Sequence, residues 1–179
     1  MTLDENDYLT FQLYTASKTP RVRNTRIRSW IVTTVVFLSL TYFSFENNNG
    51  FLGYYFLIAS VLSLVLYRRY SGWRYKRHYR RYIQDTYKNR FGEECAIEFT
   101  ADAIVTKDKT GEVKINTTEI EEINEIKDFY FVKAKSGVSL IISKLKTDTA
   151  DLERIESELK ALVDKRGLKH NVELDWKWR

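Results

Sequence analysis

Apolar residues follow three different spacings along this chain, and the longest apolar block shows no periodicity. From Ser29 to Tyr67 the only charged side chain is Glu46. The block reads WIVTTVVFLSLTYFSF, then a polar break ENNNG, then FLGYYFLIASVLSLVLY. Neither run has the polar face that a helix on a soluble core presents to water. Trp30–Phe45 makes roughly 24 Å of helix against about 30 Å of hydrocarbon. Ser29 and Asn47 can lengthen it, and Arg28 can snorkel. Phe51–Tyr67 extends back to Asn47 without a charge. Backbone polar groups in lipid need internal partners, so both runs are expected to be helical throughout. The reading is a transmembrane hairpin over 29–67, with helices at 29–46 and 50–67. Arg28, Trp30, Tyr67 and Trp73 are its expected interface anchors. Ala59 and Ser63, at four-residue spacing, are the candidate point of close helix approach.

Residues 1–28 precede the hairpin. Leu9–Leu13 and Tyr8–Phe11 have helical spacing, and Thr2 and Glu5 have the spacing of a capping box. An amphipathic helix is expected, packed on a soluble domain or lying at a membrane surface. Lys18-Thr19-Pro20 should end it, because the residue before proline is pushed out of the helical region. A basic flank follows, with Arg21, Arg23, Arg26 and Arg28.

Residues 68–92 form a basic-aromatic juncture, RRYSGWRYKRHYRRYIQDTYKNR followed by Phe91-Gly92. Tyr75, Tyr79, Tyr82 and Thr86 share helical spacing, with Ile83 and Tyr87 alongside. Arg68, Arg69, Arg74, Lys76, Arg77, Arg80 and Arg81 are the candidate contacts for anionic lipid head groups. With basic residues on both outer flanks and none in the inner turn, both termini are expected on the cytoplasmic side.

Beyond Gly92 the period changes to two. Cys95, Ile97 and Phe99 alternate with polar or small neighbours, as do the segments around Val105, Phe131 and Leu140. Asp108-Lys109-Thr110-Gly111 and Ser136-Gly137 are expected turns. Ile120, Ile123 and Ile126 break the alternation and point to a bulge or one helical turn. Asp148 should cap a helix whose apolar stripe is Leu152, Ile155, Leu159, Leu162 and Val163, ending at Gly167. The segment 93–166 is therefore a β domain with a capping helix. In the tail, 167–179, Val172, Leu174, Trp176 and Trp178 alternate with Glu173, Asp175 and Lys177. This strand pattern fits an edge strand on its own domain, or one that contacts another subunit or partner.

Net charge changes the picture only through its position. The chain carries +5 overall, but residues 91–179 are net acidic, so the positive charge borders the apolar block. That places it where anionic lipids would be and makes nucleic acid an unexpected partner. With a single cysteine no intramolecular disulfide can form, and Cys95 reads as a small core residue. His78 and His170 have no metal-ligand neighbours at the usual spacings. Glu119, Glu121, Glu122 and Glu125 lack the glycine and ligand spacing of a calcium loop and read as a solvated acidic face. No phosphate loop or nucleophile elbow is present. No enzyme activity, catalytic residue, metal or cofactor is expected.

This arrangement resembles the YcxB-like family of small bacterial membrane proteins, over about residues 5–165. The most family-like piece is Ile97–Lys144, with FTADAIVTKDKTGEVKI, then Ile120 and Ile123, then IISK. Ser143 stands where the family often has proline, and Thr118 stands near its usual tryptophan. The resemblance implies an α+β membrane protein, with the hairpin followed by a small antiparallel β half-barrel like a pleckstrin-homology domain, capped by a C-terminal helix. It implies a bacterial inner membrane setting and no activity. The expected role is a membrane-anchored cytoplasmic binding or regulatory module. Alternatives of another class are an immunity protein against a toxin acting at the inner membrane, or an accessory subunit of a larger membrane complex, as a homo-oligomer or with a protein partner.

Overall fold

Proline at a first helical position sets φ for the helix and lacks only an N–H that would be unpaired there anyway. Pro20 uses this in the computed structural model, which describes residues 1–109 and 111–178 except for the side chain of Arg68. Helix α1 spans Glu5–Lys18, Thr19 is extended, and α2 runs Pro20–Glu46. The basic flank is thus the first turns of the first apolar helix, with no break at residue 28. Helix α3 runs Gly50–Tyr87, so the apolar run and the basic-aromatic segment are one helix.

The turn between α2 and α3 is made by asparagines. Asn48 takes a left-handed conformation with φ 54°, which asparagine tolerates better than most side chains. The Asn49 side-chain oxygen accepts the Leu52 N–H at 3.4 Å, and the Asn49 N–H donates to the Ser44 carbonyl at 2.9 Å.

The chain divides into two units: Met1–Phe11 with Arg80–Lys177, and Gln12–Tyr79 with Trp178. In the first, β1 (Ala96–Phe99), β2 (Ala103–Asp108) and β3 (Gly111–Asn116) form an antiparallel sheet. The β2–β3 turn includes Thr110, which lies outside the described residues, as does Arg179 at the tail's end. Strands β4 (Ile120–Ile126), β5 (Phe129–Ala134), β6 (Ser139–Ser143) and β7 (Lys169–Glu173) form a second sheet in the order β6-β5-β4-β7. Helix α4, Thr149–Arg166, lies between β6 and β7 in sequence. It returns the chain to the end of the sheet where β6 began, so β7 runs in the direction of β6 and joins β4 in parallel. The sheets are therefore not wholly antiparallel. The tail strand is shorter than its alternation suggests: it stops at Glu173, where the Trp176 N–H donates back to the Glu173 carbonyl at 3.0 Å.

The core joins Ile104 and Ile115 of the first sheet, Ile120, Ile123, Val132 and Ile142 of the second, and Ile155 and Leu159 of α4, with Leu152, Leu162 and Val163 packed against it. The predicted stripe of α4 is the one that is buried. Gly167 ends the helix at φ 62°, a conformation that costs a residue with a Cβ. Strand β5 is buried on both faces. Phe131, 1% exposed, meets Phe11 of α1 at 5.4 Å on the face away from that core. The start of α1 therefore packs on the β domain, the first of its two expected places. Its capping box is Asp4–Asp7, not Thr2–Glu5. Asp4 accepts the N–H groups of Asn6 and Asp7, and Asp7 accepts that of Asp4 at 2.7 Å. Thr2 instead bridges to Glu94. Lys146 binds Asp4 and Asp7 at 2.6 Å each.

The three-residue spacing of Ile120 and Ile123 is resolved by a short 3-10 turn, Thr117–Glu119, and a bulge between Ile120 and Glu122. Glu121 is the extra residue, and it lets both isoleucines face the core. Deleting Glu121 should restore plain alternation without moving either isoleucine off its face. Deleting Asn124, inside the regular ladder, should invert one side of β4. Melting of the two variants in mild detergent should show the first within about 1 kcal/mol of the parent and the second without a cooperative transition.

Candidate membrane-interface site

Helices α2 and α3 meet along a narrow seam of small and polar residues. Ser60 is 2% exposed and Thr41 8%, and a Cβ on Gly53 would lie 2.7 Å from the Phe45 ring. The point of close approach is Gly53 and Ser60 rather than Ala59 and Ser63, which are half-buried. Seam hydroxyls are satisfied within their own helices: Thr34 donates to the Trp30 carbonyl and Thr41 to that of Phe37. Outside the seam the apolar side chains face outward. Both helices are long and apolar enough to cross a membrane, with 6% and 11% of their apolar windows buried.

At the basic ends of these helices the side chains are ordered by aromatic contacts. The Arg26 Nε donates to the Ser71 hydroxyl at 2.9 Å. Its guanidinium lies 5.7 Å from the Tyr75 ring and 5.0 Å from Trp178, within cation–π range. The Trp178 indole N–H donates to the Gly72 carbonyl at 3.3 Å. Arg77 lies over Trp73 at 5.4 Å.

The predicted site residues are placed unevenly around this cluster. Arg28, Arg69, Trp73, Arg74, Lys76, Arg77, Arg80 and Arg81 are exposed, while Trp30 and Tyr67 are half-buried. The Arg68 side chain lies outside the described residues. The row of α3 with reduced exposure is Tyr75, Tyr79, Ile83 and Tyr87; Tyr82 and Thr86, expected in that row, are exposed. At about 100° per residue, Arg74, Arg77 and Arg81 lie on the opposite side of the helix from this row, while Arg69, Lys76 and Arg80 lie along its edge. Arg80 is paired with Glu5 at 2.8 Å. The predicted lipid contacts thus divide between the two units, with Arg69, Arg74, Lys76 and Arg77 in one and Arg80 and Arg81 in the other. Of the four tail residues expected to contact a partner, Val172 and Leu174 are about half exposed, Trp176 is half-buried, and Trp178 packs on α2 and α3 of its own chain. Arg26, Ser71 and Gly72 were not predicted. The signal was the four-residue spacing from Arg26 to Trp30, which marks Arg26 as one turn of the same helix.

A second polar cluster, in the β domain, was also missed. Glu125 of β4 receives Lys144 at 2.6 Å and faces His170 of β7 at 3.3 Å. The Tyr130 hydroxyl lies 3.1 Å from Glu125 and 2.9 Å from Glu156 of α4, and Lys144 sits 4.2 Å over its ring. Burial, with the Glu156 hydrogen bond and the charge of Glu125, pushes the phenol far up. Having one proton, it donates to one carboxylate at a time. Burial alone would raise the Glu125 carboxyl, but the hydrogen bond and charge of Lys144, then Tyr130 and His170, outweigh it and hold the group low. The acidic run around β4 is therefore not a plain solvated face: Glu121 and Glu122 pair with Lys133, and Glu125 joins strands to α4. Cys95 is half-buried rather than a core residue. Burial, with Asp108 beside it, raises its thiol. Among the described residues no three His, Cys, Asp or Glu side chains are arranged to hold a metal ion.

No family model matches the chain, and no curated protein or solved structure matches it.

Because the folded-state pKa of Glu125 is depressed, the cluster's contribution is fully present above the unfolded carboxylate value of about 4.3. It is lost as the pH falls through the lower folded value. Replacing Lys144 by methionine should therefore lower the melting temperature at pH 7 and flatten its fall between about pH 5 and 3, measured by circular dichroism. Tyr130→Phe should cost about 1–3 kcal/mol at pH 7 by the same assay, since both carboxylates lose their shared donor.

Proposed function

We propose that this chain is a membrane-anchored binding or regulatory module, held in a bacterial inner membrane by α2 and α3 with both termini cytoplasmic. The observation that carries this is the outward apolar surface of the two helices, bordered by basic residues at the same end of both. Contiguous exposed apolar surface of this extent needs cover, and a bilayer supplies it along two helices of this length. Arg21, Arg23, Arg26 and Arg28 before the first run, and Arg69 and Arg74 after the second, give the charge asymmetry that keeps such ends cytoplasmic. The YcxB-like resemblance points the same way. Its pleckstrin-homology-like half-barrel is supported by the order of two small sheets followed by α4, while the parallel β7 is a departure from it.

Within this reading the partner is the anionic leaflet surface, engaged by Arg69, Arg74, Lys76 and Arg77 of the hairpin unit, while Arg80 pairs with Glu5 in the other unit. Each basic side chain near an anionic surface contributes about 1 kcal/mol.

Two measurements test these separately. A cysteine placed at Asn48 in a Cys95→Ser background should react with a membrane-impermeant maleimide in intact cells; reaction only after lysis would overturn the topology. In reconstituted vesicles, Arg69→Gln, Arg74→Gln and Arg77→Gln together should reduce the preference for spin-labelled phosphatidylglycerol over phosphatidylcholine at the protein boundary. Arg81→Gln should leave it unchanged. Equal effects from both sets would sink the assignment of the lipid contacts to the hairpin unit.

A further inference from the structure

The tail carries a feature that the lipid reading above does not use. Trp178 belongs with α2 and α3, not with the strand that precedes it. Its indole N–H reaches the carbonyl of Gly72 at 3.3 Å, its ring lies 5.0 Å from the Arg26 guanidinium, and Tyr75 is 6.0 Å away. A Cβ at Gly72 would stand 3.6 Å from the indole nitrogen, an ordinary van der Waals contact, so the indole sits directly against this turn of α3. The ring is only half-buried, and Lys177 beside it is exposed.

The depth of this position follows from helix geometry. Arg26 precedes Trp30, the first residue of the apolar run, by four positions; Gly72 follows Tyr67, the last residue of the second run, by five. At 1.5 Å per residue both lie about 6–8 Å beyond the ends of the apolar runs. The polar layer on each side of the hydrocarbon is about 5–8 Å thick. Both contacts of Trp178 therefore fall at the same level, and that level is the head-group layer. Tryptophan favours this layer because it has an apolar body and one N–H to satisfy. Here the N–H is already satisfied by Gly72, so the exposed part of the ring is what remains to meet the membrane.

We propose that Trp178 is a third membrane-interface element, its ring seated in the head-group layer against α2 and α3. The proposal rests on α2 and α3 spanning the bilayer. It assigns Trp178 to lipid, in place of the partner chain that the alternating pattern of Trp176 and Trp178 suggested.

The test uses the full chain in phosphatidylcholine–phosphatidylglycerol vesicles and quenching of tryptophan emission by lipids carrying a nitroxide at the head group or at mid-chain. Trp178→Phe and Trp30→Phe are each compared with the parent, so that the difference isolates one indole. The Trp178 difference should be quenched about twofold more by the head-group label than by the mid-chain label. The Trp30 difference should also be quenched, reporting that α2 is in the bilayer. If Trp30 is quenched and Trp178 by neither label, the tail proposal is overturned while the spanning helices stand. If neither residue is quenched, the membrane reading fails and the tail proposal falls with it. A further single change, Arg26→Ala, should raise the accessibility of Trp178 to aqueous iodide; unchanged accessibility would show that the indole is not held on the helices.

Discussion

The structure depends first on apolar surface that the chain itself does not cover. Helices α2 and α3 bury only a narrow seam against each other, built from Thr41, Ser60, Gly53 and Ser71. Small residues allow close approach; the Thr41 hydroxyl donates to the Phe37 carbonyl of its own helix, and the Ser71 hydroxyl accepts the Arg26 Nε from across the seam. Nearly all the exposed large apolar side chains among the described residues lie on these two helices. Everything polar about the molecule is arranged around that fact: arginines at the open ends, asparagines at the turn, and charged elements beyond.

Continuity of α3 has the second-largest consequence. Its 38 residues make about 57 Å of helix, roughly half of it beyond Tyr67. In one unit Arg26 meets aromatic rings and Ser71, whereas in the other Arg80 pairs with Glu5 and Tyr87 stacks on Tyr8 at 4.8 Å. A uniform basic stretch in sequence is thus divided between the two units.

In the β domain, packing and polar contacts converge on β5. One face meets α4 and the first sheet; the other meets Phe11. The polar cluster of Glu125, Tyr130, Lys144, Glu156 and His170 draws on β4, β5, the end of β6, α4 and β7. Its side chains are partly shielded and each is held by another member, an arrangement that favours a single register over slipped alternatives.

Local chemistry was legible in the sequence wherever one element sufficed to express it. The apolar runs, the stop before Pro20, the stripe and glycine cap of α4, and the irregularity at Ile120–Ile123 all follow from spacing, because each reflects a backbone preference or a single buried face. Three things were decided only by the tertiary structure. Which of Ala59, Ser60 and Gly53 lies in the seam depends on the rotation of one helix against another, and one residue's shift is 100° of turn. The parallel placement of β7 depends on where α4 sets the chain down. The partners of Glu125, His170 and Trp178 come from segments far apart in sequence, where a charge or an indole looks the same whether it meets water, lipid or a folded neighbour. Alternation around Trp176 and Trp178 suggested a strand, but the backbone turned after Glu173. Once the strand ended, the indole was free to take the one nearby acceptor and cation that suited it, on Gly72 and Arg26.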